Sequence, residues 1–426
     1  MSKVICTHKD LIPQVLQPDV DYFSMYRTEG RGGVSSVGTG LIREVLRSGL
    51  SPSVNSWDFL TLALAVNAAD LAVVRAPSAD GWTRTIDLQV ALVDPAPFLP
   101  LRAEIAEALR FLTGDFWRLD FVTGGEPPPR STVVREYHAD CVSLLSGGLD
   151  SLVGALDLTA LGQRPLFVSQ IAKGDSPTQI RYADRVGGSG RHIQWNHNVK
   201  VAHPTERSTR GRSIVFFAFA ALAADALAQQ RGSRVTVYVP ENGLISLNIP
   251  LNAGRAGSLS TKTTHPVFMT RLQGVWDALG IPGVLYRPYA YLTKGEMLLG
   301  CRDQANLAQL APSSTSCGRY GYYGYRHCGR CVPCMVRRAS FMRAGMADNS
   351  PKGYVFNNLN LSRPETGADD IGAVARAVLN IQAMGAATFS AGQFAFAQPD
   401  ERRQFEGVVA RGFAELGALL SSHGIL

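Results

Sequence analysis

The chain has 426 residues, enough for two or three domains of ordinary size. Hydrophobic residues make up 46% and charged residues 18%, the balance of a globular protein with a real core. The formal charge of +7 is mild for this length, so charge alone gives no argument for nucleic acid; it suits a polyanionic small ligand such as a nucleotide equally well.

The opening segment, MSKVICTHKDLIPQV, lacks the apolar run of a secretory leader. The most apolar stretch, residues 214–227, is interrupted by Asp225 and falls short of the roughly 20 residues a bilayer span needs, so it reads as a buried helix. A cytoplasmic location is expected. Of the 7 cysteines, four crowd between Cys317 and Cys334, which in a reducing compartment reads as a metal-ligand set rather than disulfides.

In chain order, residues 1–139 read as an N-terminal α+β accessory domain. Phe59, Leu62, Ala63 and Val66 share one helical face, which predicts a helix over 57–70. TIDLQVAL, residues 85–92, alternates with the period of a half-buried strand, and 101–111 reads as a helix. GGEPPPRS, residues 124–131, is rich in chain breakers and marks the boundary. Strands then alternate with helices: strand 140–145, helix 151–161, strand 166–171, helix 177–186, a short strand at 192–195, a long helix 213–229 and strand 235–239. That alternation predicts a parallel α/β sheet over residues 140–345. Residues 346–426 read as a C-terminal helical extension, with two helices beyond 365 broken near Gly392.

The sharpest motif is Ser146-Gly147-Gly148-Leu149-Asp150-Ser151, placed between an apolar strand and a helix. Glycines there let backbone approach a phosphate, and the free N–H groups of the next helix favour an anion. Ser146 and Ser151 add hydroxyl donors. Asp150 is the odd member, since a carboxylate beside a polyphosphate repels it unless Mg²⁺ stands between them. An ordinary glycine turn with a capping Ser or Asp is the plainer alternative. The GxxxxGK[ST] signature of P-loop nucleotidases is absent.

Cys317, Cys328, Cys331 and Cys334 follow the spacing C-x10-C-x2-C-x2-C. Four thiolates complete the tetrahedral shell of structural Zn²⁺, with Gly329 easing the turn. A redox pair or an Fe–S cluster is the alternative. Cys6, Cys141 and Cys301 read as small buried hydrophobes.

The SGGLDS turn resembles the PP-loop of ATP pyrophosphatases, an adenine nucleotide alpha hydrolase-like fold. Followed by Ser316-Cys317 and by Cys328-Gly329-Arg330-Cys331-Val332-Pro333-Cys334-Met335-Val336-Arg337, it resembles the QueC-type 7-cyano-7-deazaguanine synthases. Residues 170–174, with Lys173, stand at that family's Asp-Tyr-Gly segment. Arg212-Ser213 and Leu292-Thr293-Lys294-Gly295-Glu296-Met297 are similar to two further landmarks. The resemblance covers residues 140–345. The added terminal regions, and the long segment between Glu241 and Phe268, resemble the enlarged QueC-like proteins of antiphage operons, of the QatC and type IV CBASS kinds.

The resemblance implies ATP, Mg²⁺ and Zn²⁺ as cofactors. It implies adenylation of 7-carboxy-7-deazaguanine, then amide formation with ammonia or with the N-terminal amine of a partner protein from the same operon. Asp150, Lys173 and Arg212 would serve catalysis, with residues 146–151 on ATP. Glu241, Asn242, Thr261, Lys262, Thr263 and His265 are the candidates for base or acceptor recognition, or else simply a polar loop. The alternatives are a housekeeping-type synthase, another PP-loop amidase or tRNA-modifying enzyme, and a zinc-ribbon binding module using Tyr320, Tyr322, Tyr323 and Tyr325. Nucleic acid and membrane are not expected partners; a homodimer is the rival use of the terminal regions.

Overall fold

A computed structural model of the chain describes residues 2–171, 174–251, 262–359 and 370–426. The first sheet is built from β1 (Ser2–Thr7), β2 (Val20–Met25), β3 (Val34–Val37), α1 (Leu41–Arg47), α2 (Val54–Ala72), β4 (Thr85–Leu92), α3 (Arg102–Thr113) and β5 (Phe116–Thr123). Its order is β5-β4-β1-β2-β3, every pair parallel. The expected α+β character of residues 1–139 is therefore corrected to α/β. Parallel neighbours need long crossovers, and α2 and α3 supply those into β4 and β5.

The second sheet follows from β6 (Cys141–Leu144), α4 (Leu149–Ala160), β7 (Pro165–Gln170), α5 (Ser176–Arg185), β8 (His192–Trp195), β9 (Val199–Lys200), α6 (Arg212–Arg231), β10 (Val235–Tyr238), α7 (Gly243–Leu247), α8 (Pro266–Ala278) and β11 (Gly283–Tyr286). The order β11-β10-β6-β7-β8 is parallel throughout. From β6 the chain first adds strands on one side, then returns to add β10 and β11 on the other. The SGG turn leaves the C-terminal end of β6 at this reversal, where open α/β sheets form their ligand crevice. Strand β9 crosses over and pairs antiparallel with β3, Val37 opposite Val199.

Helices α2 and α6 lie between the sheets and are apolar around most of their circumference; nearly all of α2 and most of α6 are buried. One continuous core runs from Val4 through both helices to Ile281. The Asp225 that interrupts the apolar run of α6 has a partner: its Oδ2 accepts the Ser53 N–H at 2.7 Å, at the N-cap of α2. Helix α6 is long and apolar enough to cross a membrane, but most of it is buried inside the protein. Residues 124–131 are irregular as expected, yet tied down: Glu126 is buried and pairs with Arg27 at 2.5 Å and with His8 at 2.9 Å.

Asp70, buried near the end of α2, accepts the backbone N–H groups of both Arg210 and Gly211 at 2.6 Å and pairs with Arg84. The first sheet's layer thus fixes the start of α6.

The rest is helical: α9 (Lys294–Gly300), α10 (Gln304–Leu310), α11 (Val332–Arg343), α12 (Asp370–Met384), α13 (Ala386–Phe389) and α14 (Pro399–Ser422). A second core, with Leu244, Met335, Val374, Val408 and Phe413, joins α14 to α7, α11 and α12.

Candidate functional site

Gly147 has φ of +82°, a left-handed conformation that turns the chain sharply after β6, and a side chain there would be strained. Gly148 is the N-cap of α4 and has no side-chain cap, so the first-turn N–H groups, from Leu149 onward, have no partner within the helix. Ser151 Oγ donates to Gly148 O at 3.0 Å and receives Ser146 N at 3.2 Å, which locks the turn. Gln179 Nε2 donates to Ser146 O at 3.3 Å, and Thr315 N to Gly147 O at 3.1 Å.

Asp150 turns away from this mouth and into the protein. Its Oδ1 lies 2.8 Å from Lys294 Nζ, and its Oδ2 accepts the N–H and Nδ2 of Asn242 at 3.1 and 2.7 Å. Burial opposes its ionisation, but Lys294, a hydrogen bond from Glu241 and the Asn242 amide outweigh it and hold the carboxyl below its usual range. Glu241 responds in the opposite sense: burial and the adjacent Asp150 charge push it well up, so it stays protonated. Lys294 supplies the counter-charge that the sequence reading sought from Mg²⁺ alone.

Lys294 follows Thr293, whose hydroxyl and Glu296 form a reciprocal capping box at the start of α9. Helix α14 holds both supports of Asp150. Its Glu415 accepts the Thr293 hydroxyl, its Arg411 binds Glu296 at 2.6 Å and Tyr291 O at 2.8 Å, and its Gly412 lies against Leu244 of α7.

Arg212 is exposed at the start of α6; burial sets the raised carboxyl of Asp175 and the lowered imidazole of His197, and the Arg212 charge acts on both, opposing the first shift and adding to the second, so its charge reaches the cleft. The Asp175 Cβ lies 3.5 Å from where a side chain on Gly147 would start. Burial pushes Asp175 upward against a side-chain hydrogen bond from Thr315, and among the described residues its buried Oδ1 has no hydrogen-bond partner. Sequence reading missed Asp175, Gln179 and Thr315. No motif marks them, because their roles come from packing against the turn.

Cys317, Cys328, Cys331 and Cys334 bring their sulfurs within 4.8 Å of one another. The Cys317–Cys331 and Cys328–Cys334 separations of 3.9 and 3.8 Å match the edge of a tetrahedron with metal–sulfur bonds of about 2.3 Å. The four residues can hold a metal ion. Gly329, at φ +87°, packs where a Cβ would sit 2.3 Å from Phe356 O. Beyond the last cysteine, buried Arg337 grips Ser314 O at 3.0 Å, Ala311 O at 3.2 Å and Asp348 at 2.8 Å. That grip carries Thr315 onto the SGG turn. Cys6, Cys141 and Cys301 are buried, and burial raises the Cys141 thiol to about 12.

Of the recognition residues, Glu241 and Asn242 join Asp150, while Lys262, Thr263 and His265 lie at the start of α8 in a separate group. Lys173 and Thr261 lie outside the described residues. No protein-family model matches the chain, and no curated protein does.

Proposed function

We propose that this protein is a QueC-like, AMP-forming ligase. It adenylates the carboxylate of a 7-carboxy-7-deazaguanine and passes the acyl group to an amine, as part of antiphage defence. The observation that carries the reading is the uncapped start of α4 behind the SGG turn, with its aspartate neutralised from within. ATP fits there because Gly147 and Gly148 leave backbone room and the first-turn amides are free to take phosphate oxygens. Asp175, with an oxygen free of hydrogen bonds beside the turn, is the group available to Mg²⁺, and the four cysteines suit structural Zn²⁺.

In the first step a carboxylate oxygen attacks the α-phosphorus of ATP, the α–β bridging bond breaks and pyrophosphate leaves. In the second, the amine nitrogen attacks the acyl carbon, AMP departs and the amine loses a proton. The chain's own contribution is positional: fixed amides and Arg212 meet the charge that builds on phosphate oxygens. Residues 1–139 and 140–345 would be the accessory and catalytic domains, with 346–426 as the helical extension. The test is incubation with ATP and 7-carboxy-7-deazaguanine, with and without ammonia, read by mass spectrometry. AMP with an amide or nitrile product is expected. ADP as the nucleotide product would overturn the reading.

A further inference from the structure

At the start of α8 the chain gathers positive and polar groups with little among the described residues to balance them. Lys262 is half-buried, with its ammonium 4.5 Å from the Phe111 ring centre. Arg287 follows β11 directly, and its Nη1 is buried with no hydrogen-bond partner among the described residues. His265 caps α8, with Nδ1 accepting the Val267 N–H at 3.2 Å. Burial, then Lys262, then Arg287 lower this imidazole to about 3, so the ring is neutral. With Nδ1 accepting, its one proton sits on Nε2 and is available as a donor.

Burial also lowers Lys262 and Arg287 themselves. The further influence on Lys262 is the positive charge of Arg210. The carboxylate that acts on Arg287 is Glu401, which accepts the Tyr291 hydroxyl at 3.3 Å. Half-buried cations without close carboxylates are costly, and an anionic ligand removes that cost.

The same place offers apolar ring surface, with both neighbouring rings inclined to the imidazole by about 60°. The His265 ring lies 4.9 Å from Phe111, which α3 contributes, and 5.3 Å from Phe396, which the C-terminal region contributes. Phe396 is 39% exposed. Both terminal regions therefore place an aromatic side chain at this rim. Strand β11 is two positions from β6, a lateral distance of about 10 Å, and Arg287 leaves it at the end from which the SGG turn leaves β6.

We infer that Lys262, Arg287 and the Nε2–H of His265 form the binding site for the carboxylate of a planar aromatic acid, whose ring lies against Phe111 and Phe396. The inference rests on the proposed adenylation and assigns its acyl substrate to this end of the crevice. A free phosphate or pyrophosphate shares the anionic chemistry but has no use for the rings.

The experiment is calorimetric titration of the full chain, without ATP, with 7-carboxy-7-deazaguanine, with its carboxamide and with inorganic pyrophosphate. It is run on the wild type and on Arg287→Gln, Lys262→Gln and Phe396→Ala; AMP formation is measured separately. The carboxylate should bind at least tenfold tighter than the carboxamide. Each cation variant should weaken the carboxylate tenfold or more and leave the carboxamide within about threefold, and Phe396→Ala should weaken both. Lys262, at the edge of the cluster, keeps the test valid if Arg287→Gln fails to fold. Wild type that does not bind the carboxylate, or variants that lose pyrophosphate and keep the carboxylate, would overturn the site. Carboxylate binding without AMP formation would remove the adenylation reading and leave the site standing. AMP formation with unaltered substrate dependence in all three variants would do the reverse.

Discussion

Lys294 Nζ sits 2.8 Å from Asp150 Oδ1, and this buried pair joins the SGG turn to a helix whose start lies more than a hundred residues further along the chain. The pair makes Asp150 a poor position for a clean loss-of-function test. Asp150→Ala leaves a lysine that is 8% exposed without its carboxylate, and breaking a buried pair costs about 3–5 kcal/mol. Chemical denaturation should show that loss, and Asp150→Ala with Lys294→Met should recover most of it. A single variant as stable as wild type would show that the pair is not formed.

Ser146→Ala is the better probe of phosphate binding. It removes an exposed hydroxyl at the mouth, where Gly148 N donates to it at 3.3 Å and it donates to Ser151 Oγ at 3.2 Å. AMP formation should fall at least tenfold, with the melting temperature changed by no more than a degree or two, as loop substitutions away from the core usually behave. Unchanged AMP formation would place the phosphates elsewhere.

The carboxyl pair predicts two opposite pH responses. Asp150 is lowered to about 2 in the folded chain, so its stabilisation is present above its unfolded value of about 4 and is lost as pH falls towards 2. Glu241 is raised, so its stabilisation is full below about 4.3 and declines as pH rises towards its folded value. Unfolding free energies measured from pH 2 to 8 should therefore flatten at the acid end in Asp150→Asn. They should flatten on the neutral side in Glu241→Gln. Identical profiles in wild type and both variants would refute the shared proton.

Glu415 of α14 is buried against Thr293, and burial raises its carboxyl. Glu415→Ala should cost about 1–3 kcal/mol by leaving the Thr293 hydroxyl unpaired. It should also lower kcat, because Lys294 is the next residue. Glu415→Gln keeps an acceptor and should restore both. Loss of stability with an unaltered kcat would confine α14 to a packing role.

Zinc should copurify at about one ion per chain, and Cys331→Ala should lose both metal and soluble protein, since a structural site contributes folding energy directly. Because Arg337 and the cysteines hold Thr315 on the SGG turn, chelation should also weaken nucleotide binding. Metal-free protein that remains folded would dismiss the site.

Local patterns in the sequence settled much of this protein. Period-two alternation placed β4 at Thr85–Leu92, and the long apolar run placed α6, which the structure ends at Gly232 in a left-handed cap. The cysteine spacing pointed to a four-sulfur site; three of the sulfurs lie within one turn and the start of one helix, and the fold brings Cys317 to them. The SGG turn was legible because glycine's conformational freedom is a property of the residue itself. The tertiary structure decided the rest. Asp225 looked like an interruption until α2 placed Ser53 against it, and Lys294 was one residue of a motif with no named partner until α14 and α9 carried it to Asp150. Arg287 and Phe396 carry no motif at all; only strand order and the return of the C-terminal region bring them near His265. Charge pairing and ring contact depend on distance in space, and a sequence encodes that distance only through the whole fold.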